Sequence, residues 1–430
     1  MRITHLLVVL APCLLCACIG GSKGTATNTV PPTPTVNTLA VVVDAGPVAA
    51  GGAVNRAYVT VKVCVPGSTT CANVDHVQLD TGSWGLRLVR SVLTASGVTL
   101  TASTDAQGQT IQECATFSGG QTWGPVALAD VTLAGEVASK VPIQVLDDTN
   151  SSAPAPTTSI CGANTGSVHN DVPTLLANGI LGVGVFAQDC GTQCVSPASP
   201  LDFYYGCTAT AAGVCTVENI ALASQVTNPV AFFAADNNGV IVNLPNLQNA
   251  NGDATVTGEI IFGLGTQTDN ALPATALTVL GADTTTGDFT ATYSKTTVPG
   301  TTVLPALIDS GTDDYAFADT DPNMATCTAT PPNNAAWVGY YCPIVAPQAL
   351  SAINTGATSA AVPSVVSSPV QFAIADPNSF VATATAFINL GGGQGSARFT
   401  WGMPFFYGRK VYVGIEGKAS GTYTGPYYAY

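Results

Sequence analysis

A chain of 430 residues in which only 9% are charged has length enough for one large domain or two medium ones, each with its own core. Its net charge of −14 argues against a nucleic-acid partner, which requires a basic surface to displace counterions. Few charges combined with abundant Thr, Val, Ala and Gly disfavour long solvated helices and favour strands and turns.

The chain opens with Arg2 and a short apolar run, Leu6 to Leu15, which reads as an export signal. Leu15-Cys16-Ala17-Cys18, followed by Ile19-Gly20-Gly21, resembles a bacterial lipobox, so Cys18 is expected to be acylated and to become the new N-terminus. Cys16 is unusual for its place in that motif, and an ordinary cleaved secretory signal is the alternative. Ile19 stands where an Asp would retain the chain at the inner membrane. An outer-membrane anchor, on the periplasmic side or at the surface, is therefore expected. Residues 19–37 lack apolar periodicity and read as a flexible tether. Beyond residue 18 no run approaches the roughly 20 apolar residues that span a bilayer, so the membrane is expected to be met only through the lipid.

From residue 38 onward, short apolar runs alternate with Gly, Pro, Asn and Asp. Residues 57–65, 75–82, 85–89, 141–146, 239–244, 258–263, 302–309 and 410–415 read as strands. Only Val217 to Gln225 offers a helix with one apolar face. The pattern predicts an all-β chain of sandwich or barrel layers rather than a parallel α/β sheet. Thirteen cysteines, less those at 13, 16 and 18, leave ten for a mature domain in an oxidising compartment. Proximity suggests Cys64–Cys71, Cys190–Cys194, Cys207–Cys215 and Cys327–Cys342, with Cys114 and Cys161 left for each other, among many possible pairings. A zinc site is disfavoured, because the mature chain has no C-x-x-C pair and only His76 and His169.

One apolar strand ends in Asp80-Thr81-Gly82-Ser83 and another in Asp309-Ser310-Gly311-Thr312. Each is followed, later in its half, by an apolar stretch containing Gly, at 179–186 and at 399–406. A single such tetrapeptide is an ordinary polar β-turn. Two of them, each closing an apolar strand, indicate an internal duplication. Chemically the pattern suits a catalytic turn, in which Gly lets two turns approach closely. The hydroxyls of Thr81 and Ser310 can bond across to the opposite turn. Those of Ser83 and Thr312 can bond their own Asp and favour its ionised form. Two carboxylates about 3 Å apart share one proton, so one can activate water while the other protonates a substrate carbonyl.

Together these stretches resemble the pepsin-like aspartic peptidases. Residues 57–63 and 76–89 are similar to that family's first strand pair and first catalytic turn. Residues 178–186 are similar to the segment crossing behind that turn, and 258–265 to the G-x-hydrophobic-hydrophobic-F-G segment. Residues 304–317 resemble the second catalytic turn, and 399–417 the closing segment with its psi-shaped loop. The wording V-x-L-D-T-G-S-W-G-L-R in an expected lipoprotein also resembles an uncharacterised bacterial family, domain of unknown function 3443. The peptidase resemblance implies an all-β, two-lobed fold with lobes near 38–265 and 266–430, each donating one Asp to the cleft between them. It also implies a flap hairpin over that cleft, where this chain has Thr116-Phe117-Ser118-Gly119-Gly120. Phe117 there replaces a Tyr, and the Trp that usually bonds the Tyr falls on Arg87, with Trp84 three residues earlier. Asp313 and Asp314 follow the second turn where Ser or Thr is common, and an inward Asp313 would raise the pKa of the pair.

The expected activity is hydrolysis of an extended polypeptide by direct water attack, by a monomer using no metal, cofactor or covalent intermediate. Ser83 and Thr312 point to an acidic working pH. The alternative keeps the fold but uses a weak or inactive cleft to bind a peptide or glycan, and the altered Phe117 and Arg87 favour it. A serine hydrolase is disfavoured, since no G-x-S-x-G elbow occurs beyond the tether. Gly391 to Gly395 lacks the Lys of a phosphate loop and reads as a turn. His169 reads as a solvated loop residue, Trp84, Trp123, Trp337 and Trp401 as core or cleft packing, and residues 421–430 as a capping strand or tail.

Overall fold

The stretch Ala57 to Cys64 buries every residue except Thr60 and Lys62, the period-two pattern of a strand with one face in a core. The same rule operates through most of the chain, and the protein is predominantly β. The computed structural model describes residues 36–163, 168–196, 201–208, 214–273, 277–294, 301–329, 335–358, 362, 366–393 and 397–430. Cys18, the export signal and all but the last two residues of the expected tether lie outside them. Asn37, at the end of that tether, is already buried and donates from Nδ2 to the Phe262 carbonyl at 2.9 Å.

The first half of the chain supplies β1 (Thr38–Val43), β2 (Ala57–Cys64), β3 (Cys71–Asp80), β4 (Trp84–Val89), β5 (Thr110–Phe117) and β6 (Gly120–Leu133). It continues with β7 (Glu136–Leu146), β8 (Gly179–Val183), β9 (Tyr204–Cys207), β10 (Cys215–Val217), β11 (Gly239–Asn243) and β12 (Val256–Phe262). The second half supplies β13 (Val279–Gly281), β14 (Phe289–Ser294), β15 (Thr301–Ile308), β16 (Tyr315–Ala316), β17 (Gln348–Thr355) and β18 (Ser367–Ile374). Short strands close the chain: β19 (Gly391–Gly392), β20 (Phe399–Trp401), β21 (Lys410–Gly414), β22 (Ala419–Ser420), β23 (Tyr423–Thr424) and β24 (Tyr427–Ala429). Each run read as strand from the sequence falls on one of these. The one helical expectation, Val217 to Gln225, is not met. β10 ends at Val217 and only a single 3-10 turn, Leu222–Ser224, follows, with no buried residue. Backbone bonds from Ile220 N to the Cys194 carbonyl and from Val226 N to the Tyr204 hydroxyl pin that segment extended.

Two sheets of 15 and 7 strands share one topological unit. In the first, β2, β3, β8, β4 and β7 are neighbours in that order, with β3 parallel to β8, β8 antiparallel to β4, and β4 parallel to β7. In the second, β14, β15, β20, β16 and β19 repeat the order and every strand direction. The duplication legible in two tetrapeptides thus extends to five strands. In the first unit β6 also pairs with both β7 and β2, closing the strands into a barrel. The large sheet continues through β1, β12 and β11 into β21, β24 and β13, so strands from both ends of the chain run side by side. A single apolar cluster extends from Val41 to Tyr428 through both sheets.

Five disulfides, Cys64–Cys71, Cys114–Cys161, Cys190–Cys194, Cys207–Cys215 and Cys327–Cys342, tie loops and hairpins. These are the pairings suggested by proximity. Of the stretch read as a turn, Gly391 and Gly392 form β19 and residues 394 and 395 lie outside the described residues; the aromatic tail is strand, with Tyr427, Tyr428 and Ala429 fully buried. His169 lies in a loop and is half-buried, its backbone N–H held by the Gln121 carbonyl.

Candidate active site

The two acidic turns leave equivalent strands of the repeat. β3 delivers Asp80 at its last residue, while β15 ends at Ile308 and Asp309 N donates to the Trp401 carbonyl of β20 at 2.9 Å. The turns brace each other symmetrically. Thr81 Oγ1 donates to the Ile308 carbonyl at 2.9 Å and accepts from Ser310 N at 3.0 Å. Ser310 Oγ donates to the Leu79 carbonyl at 2.7 Å and accepts from Thr81 N at 3.1 Å. Thr81 and Ser310 are both fully buried, so these four bonds are made without competition from water.

Each carboxylate is also held by its own turn. Gly82 N and Ser83 Oγ donate to Asp80 at 2.8 and 2.5 Å, and Gly311 N and Thr312 Oγ1 donate to Asp309 at 2.7 Å each. The two carboxyl groups face each other, each lying against the glycine of the opposite turn. Glycine is required at both turns because a Cβ on Gly82 would strike the Asp309 carboxyl, and one on Gly311 would strike that of Asp80. Asp80, Thr81, Gly82, Ser83, Asp309, Ser310, Gly311 and Thr312 therefore form one constellation.

Burial, then the facing charge of Asp309, pushes the Asp80 carboxyl up to about 8, against the opposing hydrogen bonds from Ser83 and Gly82. Ser83 acts in the expected direction, lowering the Asp80 carboxyl, but burial and the facing charge outweigh it. Asp313 does not cause the shift, contrary to the concern raised by its position. Its carboxylate accepts from the Tyr340 hydroxyl at 2.7 Å and its carbonyl accepts from Asn55 Nδ2 at 2.7 Å. Asp314 is the buried member of that pair, and burial followed by the Asp313 charge raises its carboxyl well above the usual range.

Two further contributors carry no motif of their own in the sequence. Gln78, buried two residues before Asp80, donates from Nε2 to the Gly311 carbonyl at 2.8 Å and accepts from Arg56 at 2.6 Å. A polar residue inside the otherwise apolar run Val77-Gln78-Leu79 was the available signal. Tyr428, in the C-terminal strand, feels the charges of Asp309 and Asp80, which add to burial in raising its phenol. Nothing local in the sequence connects it to either turn.

The segment read as a flap is the β5–β6 hairpin, with Phe117 paired to Gly120 around exposed Ser118 and Gly119. Arg87 lies beneath it, its guanidinium carbon 5.4 Å from the Phe117 ring centre. Trp84 packs on Phe186 with ring centres 4.8 Å apart, and its indole N–H is buried without a hydrogen-bond partner. Among the described residues, no group of three or more His, Cys, Asp or Glu is arranged to hold a metal ion, and no helix is long and apolar enough to cross a membrane.

A search of curated proteins finds no match. Residues 33–430, nearly all of the chain, match the family described as protein of unknown function (DUF3443), and the chain belongs to that family.

Proposed function

We propose that this protein is an aspartic endopeptidase of the pepsin-like kind, with Asp80 and Asp309 as its catalytic pair and a two-lobed fold around them. The observation that carries the reading is the cross-braced pair itself: one acid from each copy of a repeated five-strand unit, facing across two glycines that leave room for nothing else. The repeated strand order supports the bilobal fold, and the hairpin bearing Phe117 takes the part of the flap.

The chemistry follows from the shared proton. Asp80, buried and opposed by Asp309, retains it, and ionised Asp309 accepts a proton from water as the water oxygen attacks a peptide carbonyl carbon. The Asp80 proton passes to the carbonyl oxygen, giving a tetrahedral diol. As the C–N bond breaks, Asp309 gives its proton to the leaving nitrogen while Asp80 takes one from a diol hydroxyl, so the diol collapses to the product carboxyl and the pair is restored. The two acids titrate as a unit, so these roles belong to one protonation state of the pair. A carboxyl held protonated up to about 8 extends the active window from acid towards neutral pH, which suits an envelope compartment.

The test is cleavage of casein or a peptide library from pH 3 to 9 by wild type, Asp80→Asn and Asp309→Asn, each verified as folded. Either substitution should lower kcat/KM by about 10²–10⁴-fold. Activity surviving both changes removes the dyad mechanism. A folded wild type that cleaves nothing favours the second reading, in which the cleft binds a peptide or glycan. That reading draws on Phe117, which lacks a hydroxyl, and on Arg87 beneath it. The proposal also takes the chain as exported, which the five disulfides support, and as anchored by a lipid on Cys18, which rests on the lipobox resemblance alone. Mass spectrometry of the mature N-terminal peptide should find acyl chains on Cys18; an unmodified N-terminus would reject the anchor.

A further inference from the structure

Behind the hairpin lies a sealed ionic cluster that the proposed chemistry does not use. Arg87, in β4, is 2% exposed, and the carboxylates it meets, Glu113 and Asp189, are 0% and 2% exposed. One guanidinium nitrogen of Arg87 donates to Glu113 Oε1 at 2.5 Å and to Asp189 Oδ2 at 2.9 Å. The other donates to the Trp84 carbonyl at 2.8 Å. Tyr204 completes the cluster, donating its hydroxyl to Asp189 Oδ1 at 2.6 Å while accepting from Val226 N at 2.8 Å. Glu113 Oε2 and Arg87 Nε have no hydrogen-bond partner. One cation faces two buried carboxylates, and burial, then the Glu113 charge, raises Asp189 well above its ordinary range against the lowering charge of Arg87.

The elements joined by this cluster give it a role. Trp84 directly follows Ser83, the residue that bonds Asp80. Glu113 and Phe117 lie four positions apart on β5, on the same face of the strand, so both can reach Arg87. Asp189 belongs to the segment that follows β8, and β8 runs parallel to β3 beside Asp80. We propose that Arg87 is a positioning residue: its fork binds the exit of the Asp80 turn at one prong and the hairpin at the other, and its flat face supports Phe117. The separation between hairpin tip and carboxylate pair is thereby set by one rigid guanidinium. A lysine ammonium cannot reproduce this, since it has neither the planar fork nor a face to lie under a ring.

The inference rests on the peptidase reading for its kinetic consequence, but not for its structural one. The decisive variants are Phe117→Leu, which removes only the supported ring, and the neutral triple variant Arg87→Met, Glu113→Gln, Asp189→Asn, which leaves no charge uncompensated. Arg87→Lys provides the conservative comparison. Amide hydrogen exchange across residues 114–122 should accelerate about tenfold or more in the triple variant and in Arg87→Lys, with strands β2 and β3 unchanged. KM for a peptide substrate should rise about tenfold in all three while kcat falls less than threefold, because binding under the hairpin is weakened and the dyad is intact. Hairpin exchange at the wild-type rate in folded Arg87→Lys and triple variants overturns the proposal, as does an unchanged KM in Phe117→Leu. Should the triple variant fail to fold, Phe117→Leu and Arg87→Lys decide the same question. If wild type cleaves nothing, it is the peptidase reading that fails, and the exchange rates still decide whether Arg87 holds the hairpin.

Discussion

Asp80 is protonated for reasons that lie outside its own turn. Excluded water and the facing Asp309 outweigh two donated hydrogen bonds and bring its carboxyl up to about 8. Because the folded group binds its proton more tightly than the unfolded chain, its contribution to stability is fully present below about 4, the ordinary carboxyl range. It is lost progressively as pH rises through about 8. Thermal melts of wild type between pH 4 and 9 should therefore show stability declining towards the alkaline side, and Asp80→Asn should flatten that decline. Equal slopes in the two proteins would mean that the pair does not hold a proton in the folded state. At this scale the identity of the acids was legible in two tetrapeptides. A shared proton was expected as well, but the upward shift of Asp80 against its own hydrogen bonds was not, since burial and a facing charge depend on a residue from the other half of the chain.

The repeated unit explains why short strands suffice. Each acidic turn is gripped from behind by a central strand, β8 or β20, that runs parallel to the strand entering the turn and antiparallel to the strand leaving it. The disulfides act on the connections around this frame, and their effects should scale with the loops they close. Cys114–Cys161 spans 47 residues and should contribute about 4 kcal/mol, whereas Cys190–Cys194 spans 4 and should contribute about 2 kcal/mol. Urea unfolding of the two paired Cys→Ala variants under oxidising conditions checks the ranking; an equal or reversed order would show that strain or local packing dominates loop closure. Strands were the easiest elements to read, because alternation of apolar and polar residues is local. The failed helix at Val217 to Gln225 shows the limit of that reading. Its apolar period was fair, but Cys194 and Tyr204 claimed its backbone groups.

At the scale of the molecule, the C-terminal strand β24 lies between β21 and β13 and joins the large sheet to the surroundings of the carboxylate pair. Tyr430 adds a side-chain link: Asn354 Nδ2 donates to its hydroxyl at 3.1 Å, and Trp401 Nε1 donates to Asn354 Oδ1 at 2.9 Å. Trp401 in turn accepts the Asp309 N–H through its carbonyl. Deleting residues 427–430 removes two fully buried tyrosines and leaves β13 unpaired. The loss should be about 5 kcal/mol or more, comparable with the whole stability of many domains, so the truncated chain should lack a cooperative melt by circular dichroism. A truncated protein melting within a few degrees of full length would show that the interleaved strands are dispensable.

The amino-acid sequence by itself determined the strands, the pairing of cysteines near one another, and the presence of two Asp-Gly turns at the ends of apolar runs. All of these follow from preferences that act over a few residues. The bracing of the turns through Thr81 and Ser310 was also expected, but only the tertiary structure decided that Gln78 and Tyr428 attend the pair and that Arg87 is walled in by Glu113 and Asp189. Desolvation and charge are set by whichever groups folding brings together, and those groups come from segments too far apart in the chain for any local pattern to record.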